Sequence, residues 1–163
     1  MRHLRQSLLI SMLLATSVSA IPPLSGDFNG DGNLDCQDIH LLVAEIAAGT
    51  NNPLFDLNGD AIVNLDDLDA WLIEAGVTNT PCQESFVMGD VNLDGFVNVL
   101  DVVIVDGNMG QFGVGWCGGD VNADGVVSQP DRNIVMQNQG ASSCGPLPVE
   151  PSNWGDVKAR FGQ

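Results

Sequence analysis

One six-residue pattern occurs four times in this chain: Asp27-Phe-Asn29-Gly-Asp31-Gly32, Asp56-Leu-Asn58-Gly-Asp60-Ala61, Asp90-Val-Asn92-Leu-Asp94-Gly95 and Asp120-Val-Asn122-Ala-Asp124-Gly125. Each copy is closed by another Asp eleven residues after its first, at Asp38, Asp67, Asp101 and Asp131, and the copies begin 29, 34 and 30 residues apart. Oxygen side chains at positions 1, 3, 5 and 12, with Gly at position 6, are what a calcium loop requires. Alternate residues turn their oxygens inward, the backbone carbonyl at position 7 adds another, and position 9 acts directly or through water. The expected ligands are therefore Asp27, Asn29, Asp31, Asn33, Asp35 and Asp38 in the first loop, and Asp56, Asn58, Asp60, Ile62, Asn64 and Asp67 in the second. The third loop supplies Asp90, Asn92, Asp94, Phe96, Asn98 and Asp101, and the fourth Asp120, Asn122, Asp124, Val126, Ser128 and Asp131. Up to four Ca2+ ions are expected. An aliphatic residue fills position 8 each time (Leu34, Val63, Val97, Val127), as where two loops pair back to back through a short strand.

The residues after each loop have helical spacing. Ile39, Leu42, Val43 and Ile46 recur at i, i+3, i+4 and i+7, and Leu68, Trp71, Leu72 and Ala75 repeat that spacing after the second loop. These are core faces, Trp71 included. The third and fourth repeats share Ile104/Ile134, Val105/Val135, Asn108/Asn138 and Gly110/Gly140, whereas the first two share Glu45/Glu74, so the repeats form two nonidentical pairs. The segments before the loops are rich in helix breakers: Pro22-Pro23-Leu24-Ser25-Gly26, Asn51-Asn52-Pro53 and the Gly-rich run from Gly113 to Gly119. The expected fold class is all-α: four calcium-loop-plus-helix, EF-hand-like repeats in two pairs, with short loop–loop β pairing.

Charge narrows the partners. The 163 residues carry 21 acidic and five basic side chains. The first five residues carry Arg2 and Arg5, a short apolar run from Leu8 to Val18 comes next, and Val18-Ser19-Ala20 offers small residues at a cleavage site, so residues 1–20 read as an export signal. The apolar run is shorter than the ~20 residues a spanning helix needs. Beyond it three basic residues face 21 acidic ones, a net −18. Such a surface repels nucleic acid phosphates and anionic lipid headgroups, and it invites cations. The expected product is secreted, with neither a nucleic acid nor a membrane partner.

A missing entering helix, Asp rather than Glu at position 12, and paired loops are the points at which this chain resembles the dockerin family, over residues 26 to 140. It is similar to the tandem four-repeat dockerin-like modules of large secreted bacterial proteins. The resemblance implies calcium-dependent folding and docking to a cohesin-like or other extracellular protein. Type I dockerins contact their partner largely through a Ser-Thr type pair at loop positions 10 and 11 and basic residues further along the helix. Here positions 10 and 11 read Cys36-Gln37, Leu65-Asp66, Val99-Leu100 and Gln129-Pro130, and the positions of the basic pair read Val43-Ala44, Leu72-Ile73, Asp106-Gly107 and Met136-Gln137. Only the calcium ligands therefore carry over. The expected division is a first repeat pair over 21–84, a second over 85–144, and a Pro-rich linker with a short tail over 145–163; the repeats begin close to the expected cleavage site, with no catalytic cargo before them.

No catalytic constellation is expected. The sole His beyond the export signal is His40, within a helix, and there is no G-x-S-x-G, H-E-x-x-H or Gly-rich loop ending in Lys. Four Cys in an exported chain imply two disulfides with three possible connectivities. Cys36–Cys82 and Cys117–Cys144 are favoured, because each small repeat pair gains from its own covalent staple. In the tail, Trp154, Val157 and Phe161 have the spacing of a short amphipathic helix that carries Lys158 and Arg160, read first as docking back on the module. The function expected is noncovalent docking or extracellular assembly; the alternative is a structural or calcium-storing protein without a specific partner.

Overall fold

The computed structural model describes residues 25–145, so the expected export signal and the tail beyond Gly145 lie outside the described residues. Helices α1 (Cys36–Ala48), α2 (Leu65–Asn79), α3 (Val99–Gly107) and α4 (Gln129–Gln137) each come directly after one acidic loop. The fold is all-α, and among the described residues no helix is long and apolar enough to cross a membrane. All four helices start in the same way. Position 9 of the loop is the N-cap, with extended backbone, and the Asp at position 12 is the third helical residue, whose carboxylate returns to the N-cap N–H in a reciprocal capping box. The residue that ends the loop therefore also nucleates the helix.

No α-helix enters a loop among the described residues. Two 3₁₀ turns, Pro53–Phe55 and Trp116–Gly118, precede the second and fourth loops, where breakers stand in the sequence. The apolar faces picked out by spacing are the core: Ile39, Leu42 and Val43 of α1, Leu68, Trp71, Leu72 and Ala75 of α2, Val105 and Val135 are all buried. Helix α1 packs on α2, α3 packs on α4, and α1 also meets the Trp116–Gly118 turn. Trp71 is wholly enclosed and donates its indole N–H to the carbonyl of Gly26 at 3.0 Å, and Trp116 makes the same kind of bond to the carbonyl of Asp90 at 2.8 Å. Each indole thus pins the chain where a loop begins.

The position-8 residues are all buried, yet neither β-bridge among the described residues joins two loops. The bridges link Phe96 to Ser142 and Phe112 to Val126. Val97 exchanges backbone bonds with Gly140 and Ala141 (2.8 and 2.9 Å), and Val127 with Gly110 and Gln111 (2.7 and 2.9 Å), so each loop pairs with the segment leaving its partner's helix. The nine-residue α3 and α4 end early, and Gly110 and Gly140, with φ of +83° and +91°, turn the chain back onto the loops. In the first half side chains do this work. Asn79 donates its amide to the carbonyl of Leu34 at 2.7 Å, and Asn51 accepts from the N–H of Val63 at 2.5 Å.

The disulfides overturn the expected pairing. They join Cys36 to Cys117 and Cys82 to Cys144, not Cys36 to Cys82 and Cys117 to Cys144. The reason lies in packing between the halves. Cys36 opens α1, which rests on the turn that contains Cys117; there a Cβ on Gly115 would fall 2.1 Å from Nδ1 of His40, so glycine permits the contact. Cα–Cα separations of 5.8 and 5.4 Å suit both bridges, and both cross the boundary expected between residues 84 and 85.

Candidate metal centre

Each loop is a ring of backbone N–H groups drawn onto carboxylates. In the first, Asp27 accepts from the N–H of Gly30 (2.7 Å), Asp31 (3.1 Å) and Gly32 (2.8 Å), and Asn29 accepts from Asp31 (2.8 Å). Asp56 accepts from Gly59 and Ala61, Asp90 from Asp94 and Gly95, and Asp120 from Asp124 and Gly125, all between 2.7 and 3.2 Å. Position 5 accepts from position 7 each time, Asp94 from Phe96 at 2.9 Å for example. The chain therefore curls around the side chains of positions 1, 3 and 5, the residues with the expected alternating ligand spacing.

The Asp at position 12 does more than the sequence assigns to it. One oxygen of Asp101 accepts from the N–H of Val91 and Asn92 (2.8 and 3.3 Å), and the other from Asn98 (2.8 Å); Asp38, Asp67 and Asp131 repeat the arrangement. These four carboxylates are fully buried clamps that fasten the start of each loop to its end.

Two left-handed positions make the curl possible. Position 6 has φ of +87°, +69°, +88° and +90° at Gly32, Ala61, Gly95 and Gly125, the bend expected there. Position 4 is left-handed too, at Gly30, Gly59, Leu93 and Ala123. The sequence signal for it is present in half the loops and absent where Leu93 and Ala123 stand.

The residue before position 1 matters as well, although nothing in the calcium-loop pattern specifies it. A Cβ on Gly26 would fall 2.6 Å from the Trp71 ring, one on Gly89 3.2 Å from the Cα of Val135, and one on Gly119 3.0 Å from the Cα of Val105. Each loop entry thus lies flat against the partner helix. The Gly-Asp dipeptide in three of the four repeats was the available signal. In the remaining repeat Phe55 takes that place and packs on Phe28, with ring centroids 4.5 Å apart. Glu45 and Glu74, the pair shared by the first two repeats, hold the same kind of entry: Glu74 accepts from the N–H of Ser25 and Gly26, and Glu45 from Asn52.

The electrostatics are one-sided. Asp90 and Asp120 are buried as well as the clamps, and the ion pair among the described residues, Arg132 with Asp106 at 2.7 Å, lies outside the loops. Burial pushes the Asp90 carboxyl up to about 7, against the pull of the Gly95 and Asp94 N–H groups. It raises Asp120 as well, helped by the charge of Asp131. Asp31, in the open, is instead held low by the N–H of Asn33. Buried carboxylates without a cationic side chain are costly unless another cation serves them.

Among the described residues no three acidic, histidine or cysteine side chains converge closely enough to grip one ion, because the carboxylates are turned onto N–H groups. That engagement leaves donor capacity, since a carboxylate oxygen has a second lone pair. An all-oxygen set of Asp, Asn and backbone carbonyl on a preformed curl fits a hard cation such as Ca2+ better than a metal that prefers nitrogen or sulfur. The position-7 side chains of Ile62 and Phe96 face solvent, as they should where the backbone carbonyl is the useful atom.

Fold and site together define an all-α, doubly disulfide-linked chain of four acidic loop–helix units. Comparison with protein-family models, with curated proteins and with solved structures gives no match, so the functional reading rests on the residues and their geometry.

Proposed function

We propose that this chain is an exported, calcium-folded binding module of dockerin type, which attaches noncovalently to an extracellular protein such as a cohesin-like partner. One observation carries the calcium reading: among the described residues, the buried carboxylates in the loops have no cationic side chain beside them. Calcium would be held by positions 1, 3, 5, 7, 9 and 12 of each loop and would supply the missing positive charge. The chain's own part is to shape the loops through the position-12 clamps and the left-handed residues. Binding only the folded state at 100 times the dissociation constant adds ~2.7 kcal/mol per site, a large share of the stability of so small a core.

Docking is supported by an asymmetry between α3 and α4. The outward face of α3 carries Val99, Leu100 and Val103, which are 61, 55 and 61 % exposed, whereas α4 has Gln129, Pro130 and Asn133 at the matching places. No described residue covers that apolar strip, and contiguous exposed apolar surface is a feature of interaction sites. The two disulfides and the acidic surface suit an oxidising, calcium-containing exterior.

Circular dichroism in millimolar calcium and in chelator tests the first step: helix content and melting temperature should both fall in chelator. A pull-down with the full chain against a panel of cohesin domains, with and without calcium, tests the second. Calcium uptake with no capture would favour the storage reading instead.

A further inference from the structure

The disulfide between Cys82 and Cys144 borders a cleft of about 500 Å³ that runs between the first and third loops. Its walls are apolar, formed by Leu34, Pro81, Phe86, Leu93 and Phe96, and its rim carries Asp35 and Asp94. Beside it, Ser143 packs against Gly95, and its buried hydroxyl is the one buried side-chain polar atom with no hydrogen-bond partner among the described residues. We propose that the segment from Trp154 to Phe161 of this same chain folds back into that cleft.

Three observations select this occupant. The chain leaves the described region at Gly145, one residue past the cleft wall at Cys144, so the nine residues from there to Trp154 extend up to ~30 Å and reach any part of it. Trp154, Val157 and Phe161 supply the apolar surface that a cleft walled by Phe, Leu and Pro accepts. Charge is complementary as well: residues 25–145 hold 19 acidic side chains and one Lys or Arg, Arg132, whereas Lys158 and Arg160 sit inside the segment. A second copy of the body would be repelled by the same charge. Tethering supplies an effective concentration of about a millimolar, enough to dock a segment whose free peptide binds weakly.

Tryptophan quenching tests this without removing any part of the chain. Trp71 and Trp116 are fully buried, so a water-borne quencher such as acrylamide reports on Trp154, whose share is isolated by comparison with Trp154→Phe. In calcium the full chain should protect Trp154. Protection should be lost, toward the accessibility of a free 146–163 peptide, in the tail double variant Lys158→Glu/Arg160→Glu and in the cleft variant Pro81→Lys. Pro81 is exposed and lies outside the four loops, and the tail variant leaves the body untouched, so loss of folding does not imitate the result. Trp154 as accessible in the full chain as in the free peptide would overturn the proposal. So would protection that survives both variants, or protection that grows with protein concentration, which would assign the cleft to the tail of a second copy.

Discussion

Ala61 holds a left-handed backbone, φ +69°, at a place where the other three loops have glycine. A Cβ in that region costs roughly 1 kcal/mol. Ala61→Gly should therefore raise calcium affinity at that loop by up to about fivefold, somewhat less than the full 1 kcal/mol would give because part of the strain is already relaxed; calorimetric titration of both proteins measures it. Asp90 supplies a pH effect. Its folded carboxyl, raised from 3.8 to about 7, holds a proton more tightly than the unfolded chain does. Without metal, stability should accordingly fall as pH rises from about 4 to 7, because the unfolded chain gives up that proton earlier. On the proposed reading, calcium bound there would displace the same proton, so affinity at the third loop should drop about tenfold for each pH unit below 7. Titrations at pH 5.5 and 7.5 on the wild type and Asp90→Asn check it: the variant should bind more weakly and lose the pH dependence. Position 6 was legible as a bend because glycine marks it three times; position 4 was not, since Leu93 and Ala123 adopt the same backbone with no residue type to announce it.

Helix starts were readable and helix ends were not. The start is a local matter: an N-cap at position 9 and an Asp at position 12 are both written into the repeat. The ends depend on what each helix meets, so α1 and α2 run for 13 and 15 residues while α3 and α4 stop at nine. What the loops bond to depends on the same tertiary context, because the early turns at Gly110 and Gly140 carry the exit segments to Val127 and Val97. Helix α2 holds a sharper test of tertiary control. A Cβ on Gly76 would lie 2.3 Å from the backbone N of Phe86 and 2.4 Å from the carbonyl of Glu84, and the Phe86 N–H bonds to Leu72 at 3.0 Å. In an isolated helix Gly→Ala would stabilise. Here the segment 84–86 must move, so Gly76→Ala should cost about 1–3 kcal/mol. Urea denaturation in saturating calcium reads the difference directly.

At the scale of the whole molecule, connectivity lay beyond the sequence. The small core of each repeat pair favours a staple of its own, but the choice depends on α1 lying on the Trp116–Gly118 turn, and no local pattern records that contact. The consequence for stability is large. The bridges span 81 and 62 residues, and chain-entropy estimates for loops of that length are about 4 to 4.5 kcal/mol each, less in sum because the loops overlap. Reduction in saturating calcium should therefore lower the melting temperature well beyond what Cys82→Ser/Cys144→Ser alone does, as differential scanning calorimetry would register.

The crossing of both bridges between the halves also bears on what happens when the chain is cut. The stretch from Pro81 to Gly89 has no helix, and apart from the bond to Leu72 few backbone bonds hold it. If the chain is exported as proposed it meets proteases, and a single nick there would divide an ordinary two-part chain into drifting fragments. In this one Cys36–Cys117 and Cys82–Cys144 keep the pieces together: the nicked molecule should migrate as one band on a non-reducing gel and as two after reduction. The loops of both fragments would stay in register, so wear on the connecting segment need not release either half.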